Sequence, residues 1–347
     1  MLSGVFPYKS TISFFLRGIF LSFIYLLFLS CEQREPSRSE FALGTVCTVT
    51  LYEQGDKSFY NNIFSRIREI ENLMSVNIPS SDISRVNAAA GIEPVQVQKE
   101  TFNVIERALY FAQLSGGAFD PTIGPIVSLW NINGDNSHVP SREKIDTALP
   151  LVNWRNVELD AETSSVYLTH RNMALDLGAI AKGYAADEAA VIIKNAGISR
   201  ALIDLGGNIL IIGEKKDLKP WSVGIQNPLD NRGSVIGVLH TTEKTIVTSG
   251  VYERFFEENG RRYHHLFDPS QGYPAQTGLL SVTLITSVSM DADALSTAIF
   301  VLGYAKGLSL LKTLPDTEAI FVFEDKSVRT TSGINFTLTD DSFRLQP

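Results

Sequence analysis

The stretch MDADALSTAIFVLG, Met290 to Gly303, decides how the chain is to be read. Its apolar residues suit a buried helix, and yet Asp291 and Asp293 stand near its start. A carboxylate removed from water needs a partner. Asp293 and Thr297 are four residues apart and so share one helix face, where two oxygen ligands suit a hard cation. The alternative is an N-terminal turn, in which Asp291 or Asp293 caps free N–H groups and meets the positive end of the helix dipole. The stretch by itself leaves both readings open.

Around this helix the pattern is mixed. Strand Ser281–Thr286 precedes it, and a helix near Lys306–Leu314 and a strand at Ala319–Glu324 follow. Upstream, short strands dominate from Ala201: Ala201–Asp204, Ile209–Ile212, Trp221–Ile225 and Val235–His240, then a hairpin over Phe255–Tyr263 turning at Asn259-Gly260. The first half alternates as a strand over Gly44–Tyr52. It has helical spacing at Ile63, Ile67, Ile70 and Leu73 within Phe59–Met74. Ser75 to Asn87 reads as a polar loop, Glu100–Leu114 as a helix ended by Gly116-Gly117, and Phe119–Trp130 as a Pro/Gly-punctuated segment. A surface loop (Asn131–Arg142), a strand pair around Trp154–Thr169 and a helix over Ala179–Ala196 closed by Gly197 complete it. Helices mixed among clustered strands, without strict βαβ alternation, predict an α+β fold with mixed or antiparallel sheets and packed helices.

Residues 1–30 differ from the rest. Their only charges are Lys9 and Arg17, and the apolar run Ile19 to Leu29 ends at Ser30-Cys31. That is the pattern of a secretory signal. The run is short for a permanent membrane span. The ending FLSC resembles a bacterial lipobox, with Phe28 where Leu is usual, and makes Cys31 the candidate lipidation site. An uncleaved anchor and ordinary signal cleavage are the alternatives. Residues 31–40 read as a polar tether and 41–347 as one domain. Removing residues 1–30 takes the net charge from −8 to −10, a poor basis for nucleic-acid binding. With Cys31 lipidated only Cys47 is left, in a strand pattern, so no intrachain disulfide is available.

Two more stretches carry chemistry. In ALDLGAIAKGYAADEA, Ala174 to Ala189, small residues open a helix with Lys182 in its first turn, which suits a phosphate, although such a helix start serves close helix–sheet packing more often. In Ile246 to Ala275, Thr248-Ser249-Gly250 offers two hydroxyls in a turn after a strand. His264 and His265, adjacent on a strand, face opposite sides, so one at most reaches a shared site. Asp268-Pro269…Gly272 is a turn by composition.

Together these stretches resemble the ApbE family, the FAD:protein FMN transferases. The motifs fall in the family's order: Leu43-Gly44-Thr45, Met74-Ser75…Ser84-Arg85-Val86-Asn87, Phe119-Asp120-Pro121-Thr122, Asp176 to Asp187, Asp204 to Asn208, Thr248 to Gly250, His265 to Pro269 and Asp291 to Thr297. The resemblance implies a T-fold that binds FAD in a cleft. FMN passes from FAD to a Thr or Ser hydroxyl of a target flavoprotein, and AMP leaves. Implied targets are subunits of Rnf and Na⁺-translocating quinone reductase (Nqr-type) complexes.

Carried over residue by residue, the resemblance implies Mg²⁺ held by the Ala179 carbonyl, Asp293 and Thr297. FAD contacts are implied near Leu43, the loop of Asn77 and Ile78, Asp120 and Lys182. His265 or Asp268 is implied as the base, with Thr248 and Ser249 nearby. Many relatives have Tyr and Asp where Asn77 and Ile78 stand. Without a ring to stack on flavin, hydrolysis of FAD to FMN and AMP is a second expected activity, and a non-catalytic FAD-binding lipoprotein a third reading. The expected location is the inner or outer membrane, held by the lipid and facing the periplasm.

Overall fold

The computed structural model describes residues 1, 37–53, 57–132, 134 and 137–346. The signal segment beyond residue 1, Cys31 and the tether up to residue 36 lie outside the described residues. Strands β1 (Ser37–Ala42) and β2 (Thr45–Leu51) lead to α1 (Lys57–Met74), α2 (Asp82–Ala88), β3 (Val95–Gln96) and α3 (Lys99–Leu114). Next come α4 (Gly124–Trp130), α5 (Arg142–Ala148), β4 (Val157–Asp160), β5 (Ser165–Leu168) and α6 (Ala181–Asn195). A run of strands follows: β6 (Ala201–Leu205), β7 (Asn208–Ile212), β8 (Trp221–Gln226), β9 (Val235–Thr241) and β10 (Thr245–Gly250). Hairpins β11–β12 (Phe255–Glu258, Arg261–His264) and β13–β14 (Phe267–Asp268, Tyr273–Pro274) precede β15 (Leu279–Thr286) and α7 (Ser289–Leu311). The last strands are β16 (Glu318–Phe323), β17 (Ser327–Thr330), β18 (Asn335–Leu338) and β19 (Arg344–Gln346).

Nine strands form one sheet in the order β1-β2-β6-β7-β10-β15-β16-β17-β19, antiparallel except at β17–β19. The α+β expectation holds. Helices α6 and α7 pack on this sheet and on each other. Helix α1 buries Tyr60, Ile63, Phe64, Ile67, Ile70 and Met74; Ile63, Ile67 and Ile70 belong to the stripe read from the sequence, whereas its fourth member, Leu73, is half-buried. The small face of α6 brings α7 close: a Cβ on Gly183 would lie 2.2 Å from the Ser289 carbonyl oxygen. Helix α7 is apolar nearly all round because it is buried in the core, although by length and composition it also suits a membrane span. Gly303 breaks it with φ 73° and ψ 174°, giving the two helices expected there. A smaller aromatic core gathers Trp130 with Phe256, Tyr263, Phe267 and Tyr273 under the two hairpins.

Four local expectations need correction. Ser37–Glu40, read as tether, belongs to β1 and pairs with β2. The polar loop Ser75–Asn87 contains α2, whose Ser81 caps the Ser84 N–H. Its Asp82 is buried, because Thr101, the Gln98 N–H and Arg85 all donate to it. The punctuated segment ends in α4, since Pro125 in a first helical turn costs no hydrogen bond. Thr248-Ser249-Gly250 is not a turn but the end of β10. Cys47 is fully buried, and burial pushes its thiol up to about 12.

Candidate active site

The start of α7 is held from outside itself. Asp187 on α6 accepts the N–H groups of Ser289 and Met290 at 3.0 and 2.8 Å, so the cap expected of Asp291 or Asp293 falls to Asp187. Burial raises the Asp187 carboxyl to about 6. Asp291 instead takes a bidentate pair from Arg107 on α3, at 2.8 and 2.6 Å. The Arg107 guanidinium also lies over the Tyr110 and Phe111 rings. Asp291 therefore clamps two helices together and does not face the site.

Asp293 is only 4% exposed. The Lys182 ammonium donates to its two oxygens at 3.1 and 3.3 Å, and the Gly183 N–H donates at 3.0 Å. The same ammonium reaches the Gly178 carbonyl at 3.1 Å. One turn along α7, the Thr297 hydroxyl lies 3.3 Å from the Ser249 hydroxyl, which is also 2.8 Å from Ser296. Lys182 thus meets Asp293, and Ser249 meets Thr297 one turn along the same helix. Thr248 does not join them, because a strand alternates its faces. Its hydroxyl pairs across the ladder with Thr283 at 2.8 Å.

The two histidines separate cleanly. His264 Nε2 donates to the Ala275 carbonyl, the Leu266 N–H donates to its Nδ1, and its ring meets Phe300 edge-on. Both nitrogens are occupied, so His264 holds structure. His265 Nδ1 lies 3.2 Å from the Arg254 carbonyl, which can only accept. The proton is therefore on Nδ1, and Nε2 keeps its lone pair. Burial, then the Arg254 charge, depresses the His265 pKa to about 3, while burial takes His264 to about 4. Both rings are neutral at ordinary pH.

The remaining expected residues have defined places. Asp268 is taken up by its own turn, accepting from the Ser270 N–H, the Ser270 hydroxyl and the Gln271 amide. Asp120 is buried and accepts from the Thr122 N–H and hydroxyl and from the Trp154 N–H. Its carboxylate builds the loop, and burial raises its pKa. Leu43 adopts φ 53° in the β1–β2 turn, where its N–H donates to Glu71 at 2.9 Å. Asn77 is exposed, its N–H held by the Ser75 hydroxyl, and Ile78 beside it is half-buried. Sequence reasoning missed Arg254, whose guanidinium lies 3.4 Å from the Gly44 carbonyl while its own carbonyl orients His265. Its charge also bears on Asp176 and Glu253, two carboxyls whose pKa values burial raises.

A metal fit can be judged from what surrounds Asp293. Among the described residues there is no cluster of three or more His, Cys, Asp or Glu. A site here therefore has to combine one carboxylate with hydroxyl and carbonyl oxygens. Lys182 already acts as a stand-in cation on such oxygens, from Asp293 and Gly178. The all-oxygen donor set suits a hard divalent ion.

Known proteins resemble the chain along most of its length. Residues 43–321 match the model of the ApbE family. The FAD:protein FMN transferase of Treponema pallidum is 41% identical over 318 residues, 87% of this chain and 88% of that protein. One from Klebsiella pneumoniae is 36% identical, covering 90% of this chain and 98% of its own length. The crystal structure of the ApbE protein from Thermotoga maritima superposes with a TM-score of 0.77 at 35% identity, over 85% of this chain and 96% of that one. The flavin transferase ApbE from Vibrio cholerae gives 0.75 at 26% identity, over 88% and 97%. With a fold and a sequence shared along nearly the whole described length, the chain belongs to the ApbE family.

Proposed function

We propose that the protein transfers the FMN half of FAD to a threonine or serine hydroxyl of a protein acceptor, releasing AMP. Its relatives carry the name FAD:protein FMN transferase, which supports a transferase acting on FAD. The observation that carries the mechanism is His265: neutral, with Nδ1–H fixed on a carbonyl and Nε2 available. The acceptor oxygen attacks the phosphorus that bears FMN, the bridging P–O bond breaks, and the AMP oxygen takes the electron pair. His265 Nε2 accepts the hydroxyl proton. Bound pyrophosphate brings negative charge beside the ring, which raises its basicity above that of the free site. Lys182 binds a phosphate oxygen, while the turn at Leu43 and the loop of Asn77 and Ile78 orient the flavin. Asp293, Thr297 and the Ala179 carbonyl would hold a Mg²⁺ ion, which would supply positive charge against the phosphates.

On this proposal the enzyme is exported and lipid-anchored through Cys31, facing the periplasm from the inner or outer membrane. The apolar run Ile19 to Leu29 ahead of Cys31 supports it. The acceptor is then a flavoprotein subunit of an Rnf- or Nqr-type redox complex. A second reading is FAD hydrolysis, favoured by the exposed Asn77 where an aromatic ring would retain flavin. Incubation with FAD, Mg²⁺ and an acceptor peptide bearing Thr separates the two by mass spectrometry. A peptide gain of one FMN supports transfer, and free FMN plus AMP without labelling supports hydrolysis. Unchanged FAD refutes both.

A further inference from the structure

We propose that Lys182 is a resident counter-cation of Asp293 that the metal ion displaces, so that metal binding frees the ammonium for the phosphates of the substrate. This rests on the transferase reading above and adds a coupling between its two ligands. The basis is the set of oxygens that Lys182 occupies: both Asp293 oxygens at 3.1 and 3.3 Å, and the Gly178 carbonyl at 3.1 Å. A carboxylate and a backbone carbonyl are ligands a divalent ion takes. The next carbonyl along the chain is that of Ala179.

The two partners differ in freedom. The Asp293 side chain is 5% exposed and also tied to the Gly183 N–H, whereas that of Lys182 is 23% exposed on a flexible four-carbon stem. An exchange of cations therefore moves Lys182 and leaves Asp293 in place. A divalent ion and an ammonium sharing one carboxylate repel each other, and the higher charge prevails. The displaced ammonium stays within reach of the site on α6, where a bound pyrophosphate is its natural partner. Metal and FAD then bind with positive cooperativity, and linkage requires each to tighten the other by the same factor.

The test uses the full chain and two variants, Lys182→Met and Lys182→Gln. The second keeps a hydrogen-bond donor for Asp293 and guards against loss of folding, which circular dichroism checks. Mg²⁺ alone, titrated by calorimetry, is expected to bind both variants about tenfold more tightly than the wild type. FAD, followed by flavin fluorescence at saturating Mg²⁺, is expected to bind them about tenfold more weakly. A lysine with a merely structural role would not move the two affinities in opposite directions. Mg²⁺ binding that is equal or weaker in folded Lys182→Gln, with transfer still metal-dependent, overturns the exchange alone. No Mg²⁺ binding to any of the three proteins, with transfer persisting in a chelator, overturns the metal part of the transferase reading and the exchange with it.

Discussion

Replacing Asp187 with Asn should produce a stability loss that grows as the pH falls. Asp187 holds the start of α7 through the Ser289 and Met290 N–H groups, at 3.0 and 2.8 Å. Hydrogen bonds to a charged acceptor contribute about 1.5–3 kcal/mol each. Against this stands burial, which raises the carboxyl from 3.8 to about 6 in the folded protein. With the folded value above the unfolded one, the native state binds more protons between those two pH values. Stability from this group is therefore complete below about pH 4 and declines as the pH rises through about 6. The shift corresponds to roughly 2–3 kcal/mol at about 1.4 kcal/mol per pH unit. Asparagine does not titrate, so the difference between wild type and Asp187→Asn isolates this contribution from every other group. Urea unfolding followed by circular dichroism at intervals from pH 8 to pH 4 should show the difference widening by that amount. A difference independent of pH, or one that narrows on acidification, would refute the account of Asp187 as a buried cap.

Asp293→Ala should reduce Mg²⁺-dependent FAD cleavage at least about 100-fold, because the buried carboxylate is lost, while the far-ultraviolet spectrum is retained. Full activity in that variant would sink the metal assignment. His265→Ala should abolish transfer with little change in the urea midpoint. His264→Ala should instead lower stability by about 2–3 kcal/mol, since it strands the Ala275 carbonyl and the Leu266 N–H, and leave the folded fraction active. The His264 pKa is depressed to about 4, so its neutral form stabilises the fold fully above about 6.5, and that stability is lost as the pH falls towards 4. The His264 variant should flatten the acid limb of the unfolding profile in that window. Gly183→Ala should cost about 1–3 kcal/mol by forcing α6 and α7 apart, measurable by thermal melting.

Much of this was legible in the chain because the signals are local. The stripe of α1, the Asn259-Gly260 hairpin and the opposed faces of His264 and His265 follow from periods of 3.6 and 2 within single elements. The partners of the acidic residues were not legible. Asp187 and Ser289 are far apart in sequence, as are Arg107 and Asp291, and only tertiary packing decides that the first is a cap and the second a clamp. Thr248 was misjudged for a related reason. Its hydroxyl suggested a site, but β10 runs on through Gly250, and strand alternation turns Thr248 towards Thr283. Helix α2 was hidden because its buried carboxylate, Asp82, made the segment look like solvent-exposed loop.

The β11–β12 hairpin sets more than a local ladder. Its turn residues Asn259 and Gly260 take φ 51° and 74°, the conformation of a two-residue turn that fixes pairing. With Phe255 opposite His264, that pairing determines which imidazole is delivered to the core and which to the Arg254 carbonyl. The two rings are chemically identical, so identity of role is written in strand phase alone. A slip of one residue would leave the composition of the hairpin unchanged and exchange the imidazole held on the Arg254 carbonyl for the one held on the Ala275 carbonyl.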